Sequence, residues 1–337
     1  MKKEVKEELK EEVLKDTIKN IEKKFGSGTL KYLEDKATWD GDVISSGSLT
    51  LDNALGIKGF PKGRIIEIYG NESSGKTTVA LQCVAECQKN NGRVAYIDAE
   101  NALDGIYCKK IGVDLSKMLL SQPDSGEQAF YVMDALLKTN EVDLIVVDSV
   151  AALVPESELN GEVYDQNMGA HARLMSKGLR MIQSSISKSN TTVIFINQVR
   201  EKIGVMFGNP EVTTGGRALK FFSSIRLEIR KAELIKSGTE IIGIKSKVTV
   251  SKNKLAPPLK ICYVDIFFGT GFDYKNEIIN FSIDYEIIKK AGSWYYYNDL
   301  KMCQGRAQIG KFLSENEKIY NDIKKTILEK SNNVIQN

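Results

Sequence analysis

Histidine is almost missing from this chain: His171 is the single one. That argues against a zinc site, since the five cysteines (Cys83, Cys87, Cys108, Cys262 and Cys303) offer no metal-ligand or disulfide spacing either. Cys83 and Cys87 stand four apart on a predicted helix, and buried, reduced thiols in a cytoplasmic protein are the expectation. Long apolar runs are also missing. None approaches the ~20 residues of a bilayer span, so no membrane partner is expected. The opening MKKEVKEELKEE has no apolar core and does not read as a signal peptide. The other end is a short polar segment without an acidic block. The formal net charge of +3 is too small to name a polyanionic partner by itself.

What is present begins with size. The 337 residues suffice for one large domain and one or two small ones. The stretch that organises them is 64–81, RIIEIYGNESSGKTTVAL. Ile65, Ile66 and Ile68 predict one buried strand, and Val79, Ala80, Cys83, Val84 and Cys87 recur at helical spacing after it. Between them lies Gly-x4-Gly-Lys-Thr, a phosphate cradle when it joins a strand to a helix. Gly70 and Gly75 permit positive φ, so the N–H groups of Gly70, Asn71, Glu72, Ser73, Ser74, Gly75, Lys76, Thr77 and Thr78 can face one concavity. The helix N-terminus adds partial positive charge there. Lys76 is expected to reach the β- and γ-phosphates and Thr77 to hold Mg²⁺.

Further strands are expected at 93–98, 144–149 and 192–197, with helices at 128–138 and 173–188. Alternation of this kind predicts an α/β fold with a mostly parallel sheet, binding ligands beyond the carboxyl ends of its strands. Glu100, Asp148 and Gln198 all fall at those ends. Asp148 is a candidate Mg²⁺ ligand or a helix N-cap. Glu100 is a candidate general base for water, or a surface carboxylate. Gln198 is a neutral amide able to sense a γ-phosphate.

Residues 3–25 predict one helix with an apolar stripe (Val5, Leu9, Val13, Leu14, Ile18, Ile21, Phe25), to be covered by its own core or by a neighbouring copy. From Val43 to the phosphate loop the pattern is of short strands and turns. Two long connections, 156–169 and 199–216, show little periodicity. The second mixes Arg200, Lys202 and nearby Arg217 with Ile203, Met206 and Phe207, which suits a single nucleic-acid strand or a lid over the nucleotide. More strands are expected at 221–230, 247–252 and 260–268, the second ending at Lys252 and Lys254. A small α/β tail comes last, with a helix at 317–330.

The quoted loop together with YIDAENALD, VVDSVAAL, FINQVR and KIGVMFGNPE, in this order and spacing, resembles the bacterial RecA recombinase family. The likeness runs from about Ile18 to past Leu313. It implies a RecA-type ATPase core with an N-terminal helix extension and a small α/β C-terminal domain: an oligomerisation region at 1–37, the core at 38–272 and the tail at 273–337. It implies ATP and Mg²⁺ as cofactors, with Thr77 and Asp148 at the metal and Lys76, Glu100 and Gln198 catalytic. Asp104 and Tyr107 match adenine contacts, Asp148 and Ser149 the second nucleotide motif, and Lys252 and Lys254 lysines that reach ATP on the adjoining subunit. Met168 and Gly169 correspond to the first DNA loop, with Arg173, Ser176 and Arg180 next along the chain. Arg200, Lys202, Ile203, Met206, Phe207, Gly215 and Gly216 correspond to the second. Phe221 matches an interface position, and Lys290 and Arg306 lie where the family's C-terminal domain meets duplex DNA.

The chain departs from the family at Asn71 and Gly105, where proline is usual, at Tyr164, where a small residue is common, and at Arg217, where asparagine is usual. The family's acidic C-terminal tail is not found, which implies readier engagement of duplex if that tail restrains it. The implied function is a DNA-dependent ATPase that forms helical filaments on single-stranded DNA and exchanges strands with homologous duplex, with a role toward an SOS repressor. A ring-forming helicase or motor on the same core is the alternative. A nucleotide-gated assembly protein indifferent to DNA is another.

Overall fold

The computed structural model describes residues 2–27, 29–30, 41–162, 169–201 and 211–334. Two compact units result, 1–39 and 40–337. The first holds the helix Lys2–Phe25, on which Val13, Leu14 and Phe25 are exposed.

The second unit is built on a ten-stranded sheet. Six strands run parallel in the spatial order Met118–Ser121, Val94–Asp98, Leu144–Asp148, Thr192–Glu201, Ile65–Gly70, Ile225–Ser237. Glu240–Asn253, Ile261–Phe267 and Gly271–Phe272 extend it antiparallel. The central strands are apolar on both faces because helices cover both. Ile66, Ile68, Val94, Tyr96, Leu144, Val146, Ile194 and Ile196 enter one core with the helix Lys76–Lys89. Their alternates Ile65, Ala95, Ile97, Ile145, Val147, Val193 and Phe195 enter the other, under the helices Gly126–Thr139 and Ala170–Ser189. A third core, centred on Ile278, Ile309, Ile323 and Ile327, belongs to the C-terminal part.

Register sets the candidate residues and their neighbours side by side. Gly70 lies opposite Gln198 and Asp98 opposite Asp148. Neighbouring strands are about 4.8 Å apart, so the carboxyl ends form one compact rim.

Four expectations need correction. Residues 221–230 are not one strand: Ala218–Phe222 is a helical turn and the strand starts at Ile225. Residues 49–55, expected as strand and turn, form the helix Leu49–Leu55, capped by the Ser48 side chain and closed by Gly56 at φ +74°. The strand from Thr192 continues past Asn197 to Glu201. It pairs there with Glu211–Thr213, so the ends of 199–216 form a β-ribbon rather than an open loop.

Candidate functional site

The phosphate loop leaves the strand at Gly70 and enters the helix at Lys76. Gly75 caps that helix at φ +99° and Ser73 takes φ +55°, which opens the turn for its amides. Gly70 is glycine for another reason than the one expected: it lacks positive φ, and a Cβ there would stand 2.0 Å from the Ile229 carbonyl oxygen. Ser246 Oγ donates to the Ser74 carbonyl at 2.8 Å and ties the loop to the antiparallel half of the sheet.

Lys76 is buried, and its Nζ donates to the Asn71 carbonyl at 2.7 Å. Burial holds its ammonium below the ordinary lysine value, against the pull of Asp148, Glu100 and Glu72. Such a cation favours an anion placed beside it. Thr77 Oγ1 donates to Asp148 Oδ2 at 2.8 Å, and the Tyr96 hydroxyl donates to the same oxygen at 2.9 Å. Burial raises the Asp148 carboxyl; the two hydroxyls oppose the rise, and Glu100 and Asp98 add to it. The Asp148–Ser149 peptide is cis. The Thr78 and Tyr107 hydroxyls share a hydrogen bond of 2.8 Å, and Asp104 caps the helix Gly105–Ile111 by accepting from the Ile106 and Tyr107 amides.

Glu100 sits exposed at the rim. Its Oε1 accepts from Ser149 Oγ and, at 3.2 Å, from Gln198 Nε2. The Gln198 carbonyl in turn accepts the Thr214 amide at 3.3 Å. Beside it Asn197 Nδ2 donates to Glu67 Oε1 at 2.9 Å and to the Thr214 carbonyl at 3.1 Å. Glu67 is fully buried and carries Arg226, whose guanidinium lies 4.3 Å from the Tyr69 ring centre. These contacts fasten the returning arm of the ribbon to the phosphate-loop strand.

The same arm reaches the helix Ala170–Ser189. A Cβ on Gly215 would come within 3.0 Å of Met175 and 3.2 Å of Val150, and one on Gly216 within 3.0 Å of Ala172. Both take φ near +78°, so glycine is required twice over. Gly169 caps that helix, Arg180 Nε donates to the Ser176 carbonyl at 3.0 Å, and Arg173, Arg180 and Arg200 reach solvent. Met168, Lys202, Ile203, Met206, Phe207 and Tyr164 lie outside the described residues.

Lys252 is the penultimate residue of the strand Glu240–Asn253 and Lys254 follows its end; there Lys252 Nζ donates to the Lys220 and Phe221 carbonyls at 2.6 and 3.2 Å. Burial, then Lys254, Arg226 and Lys220, bring Lys252 down to about 8. Phe221 beside it is 67% exposed. Lys290 and Arg306 are exposed in the C-terminal part, Arg306 paired with Asn280 Oδ1.

Sequence reasoning overlooked Tyr96, Asn197 and the Glu67–Arg226 pair. The signal was there for three of them. A phenol or a charge inside an otherwise aliphatic buried strand needs a polar partner.

The strand–loop–helix cradle, with acids at the neighbouring strand ends, defines a phosphate-loop ATPase whose rim acid Glu100 is hydrogen-bonded to Gln198 in the strand that forms the ribbon. The family model for the RecA N-terminal domain matches residues 12–273, and that for the RecA C-terminal domain matches 276–332. The Protein RecA of Malacoplasma penetrans (strain HF-2) is 63% identical over 309 residues, 92% of this chain and 93% of that one. Protein RecA of Macrococcus caseolyticus (strain JCSC5402) is 54% identical over 308 residues, 91% and 87% of the two chains. A crystal structure of the RadB recombinase matches with a TM-score of 0.52 and 26% identity, covering 68% of this chain and 98% of that one. The chain belongs to the RecA family. It is a recombinase of DNA recombination and repair and a DNA-dependent ATPase, using a nucleotide, binding DNA and forming filaments. No helix among the described residues is long and apolar enough to cross a membrane.

Proposed function

We propose that the nucleotide is ATP with Mg²⁺, cradled by residues 70–78, and that occupancy is read out through Gln198 onto residues 199–216. The observation carrying this reading is the line from Glu100 Oε1 to Gln198 Nε2 at 3.2 Å and from the Gln198 carbonyl to the Thr214 amide at 3.3 Å. An amide bonded to the acid beside the phosphates and to the arm of the ribbon joins the two ends.

The donor set supports magnesium. Thr77 and Asp148 offer hard oxygens, and among the described residues no three acids, cysteines or histidines gather to hold a metal unaided. An ion there depends on phosphate oxygens, as Mg²⁺ beside nucleotides does. When bound it neutralises charge on the phosphates. Lys76 and the loop amides bind the β- and γ-phosphates, Ser149 orients Glu100, and Glu100 holds the attacking water and takes its proton. Asp104 and Tyr107 flank adenine.

In this reading the core is 38–272, flanked by an oligomerisation region at 1–37 and a C-terminal domain at 273–337. Single-stranded DNA is gripped by Met168, Gly169, Arg173, Ser176 and Arg180 and by Arg200, Lys202, Ile203, Met206, Phe207, Gly215 and Gly216. Stacking and backbone contacts are sequence-tolerant, at ~1–3 kcal/mol per base. Duplex DNA meets Lys290 and Arg306. ATP lies between subunits, where Lys252, Lys254 and Phe221 come from the neighbour. The filament acts in the cytoplasm and presents a surface to an SOS repressor.

The test is Glu100→Gln. ATP binding and anisotropy of labelled oligothymidine are expected to be retained while turnover falls by about 10²–10⁴-fold, the usual worth of a general base. Unchanged turnover removes Glu100 from the mechanism.

A further inference from the structure

Tyr96 lies in a strand whose other members are Val94, Ala95, Ile97 and Asp98. Its ring is 1% exposed, inside the core beneath the phosphate-loop helix. Its Cα stands opposite Val146, while Asp98 stands opposite Asp148. A phenol reaches about two residues along a strand, ~6.6 Å at ~3.3 Å each, which brings the hydroxyl to the next carboxylate on its face. There it donates to Asp148 Oδ2 at 2.9 Å, and Thr77 Oγ1 donates to the same oxygen at 2.8 Å.

Packing does not ask for that hydroxyl. Phenylalanine would fill the same volume without a buried polar atom to satisfy. The oxygen is aimed at the one acid that, with Thr77, is placed to hold the metal. Two convergent donors fix the rotation of a carboxylate that a single one leaves loose, and hydrogen bonds to a charged acceptor are the strong ones.

We propose that Tyr96 is a positioning residue for magnesium: its hydroxyl clamps Asp148 Oδ2 and so sets the affinity of the nucleotide site for the ion. The proposal rests on the reading of Asp148 as a Mg²⁺ ligand. Hydrogen bonds that orient metal-binding groups are commonly worth about 10–100-fold in metal affinity or activity. Tyr96 touches no reacting atom, so its effect passes through Asp148 alone.

The experiment titrates Mg²⁺ into the full-length protein with a fluorescent, slowly hydrolysed ATP analogue, and follows Mn²⁺ binding to the same complex by electron paramagnetic resonance. Tyr96→Phe is expected to raise the half-saturating metal concentration about tenfold. Metal-free nucleotide affinity and the melting temperature of the nucleotide-free protein stay as in the parent. In an Asp148→Asn background, Tyr96→Phe should add no further shift. An unchanged metal midpoint in Tyr96→Phe overturns the proposal, as does an equal loss of metal-free nucleotide binding, which would make the hydroxyl merely structural. If Asp148→Asn itself leaves the metal midpoint in place, the assignment of Asp148 falls and the proposal with it. If Asp148→Asn moves the midpoint and Tyr96→Phe does not, only the proposal falls.

Discussion

Gln198 stands opposite Gly70 in the parallel register and donates from Nε2 to Glu100 Oε1 at 3.2 Å. One side chain therefore touches the rim acid while its own main chain holds the returning arm of the ribbon through Thr214. Gln198→Ala removes the first contact and keeps the second. ATP binding should persist, while stimulation of turnover by oligothymidine falls about tenfold, in the range of ordinary coupling between sites. A steady-state ATPase assay with and without the oligonucleotide reads it, and undiminished stimulation would separate Gln198 from the coupling.

Gly70 is a steric requirement. Its missing Cβ faces a backbone carbonyl at 2.0 Å, and backbone cannot step aside as a side-chain tip can. Gly70→Ala should lower stability by about 1–3 kcal/mol through overpacking and distort the cradle, so urea unfolding shifts and nucleotide binding is lost together. An alanine variant with parental unfolding and binding would show that the two strands part easily.

Lys252, at about 8, loses its charge within an accessible pH range. Its cation is present below that value and lost above it. If it meets a neighbour's phosphate, ATP-dependent filament assembly must take up a proton above pH 8. Assembly should then weaken with rising pH by at most about tenfold per unit. Light scattering between pH 7 and 9 tracks this. Lys252→Arg, charged throughout, should flatten the profile; an identical slope in that variant would exclude Lys252 as its source.

Asp52 is buried in the helix Leu49–Leu55, accepts from Ser45 Oγ at 2.6 Å and the Ser46 amide at 2.9 Å, and is pushed up to about 7 by burial. Nearby Glu277 adds to the rise. The folded carboxyl keeps a proton that the unfolded one, at 3.8, gives up. Its contribution is thus intact below the unfolded value and is lost as pH rises through about 7. Asp52→Asn should match the parent near pH 4 and exceed it at pH 8 in chemical denaturation. Parallel curves across that range would mean that Asp52 ionises freely in the fold.

Much of the candidate site was readable because the loop motif is local: Gly75, Lys76 and Thr77 stand within one turn of each other, and Asp148 ends, and Glu100 closely follows, strands that alternate with helices. The strand Leu144–Asp148 and the helix Gly126–Thr139 fall within two residues of expectation for the same reason. What escaped was non-local or short. Ser48 and Gly56 bracket Leu49–Leu55 as a cap and a stop, but seven residues give too little periodicity to outweigh the surrounding glycines. Ala218–Phe222 reads into the next strand because ALKFF has no break before Ser223. The ribbon of Val199 with Thr213 depends on a register that only the folded sheet fixes.

Glu277 stands in the helix Tyr274–Asp284 of the C-terminal part, yet its carboxylate receives Ser48 Oγ at 2.6 Å and the Leu49 amide at 2.7 Å. The last part of the chain thus completes a cap that the first part begins. A fragment trimmed before residue 273 would inherit a frayed helix end and an uncovered Leu49, so proteolysis should find this seam resistant until the whole body loosens.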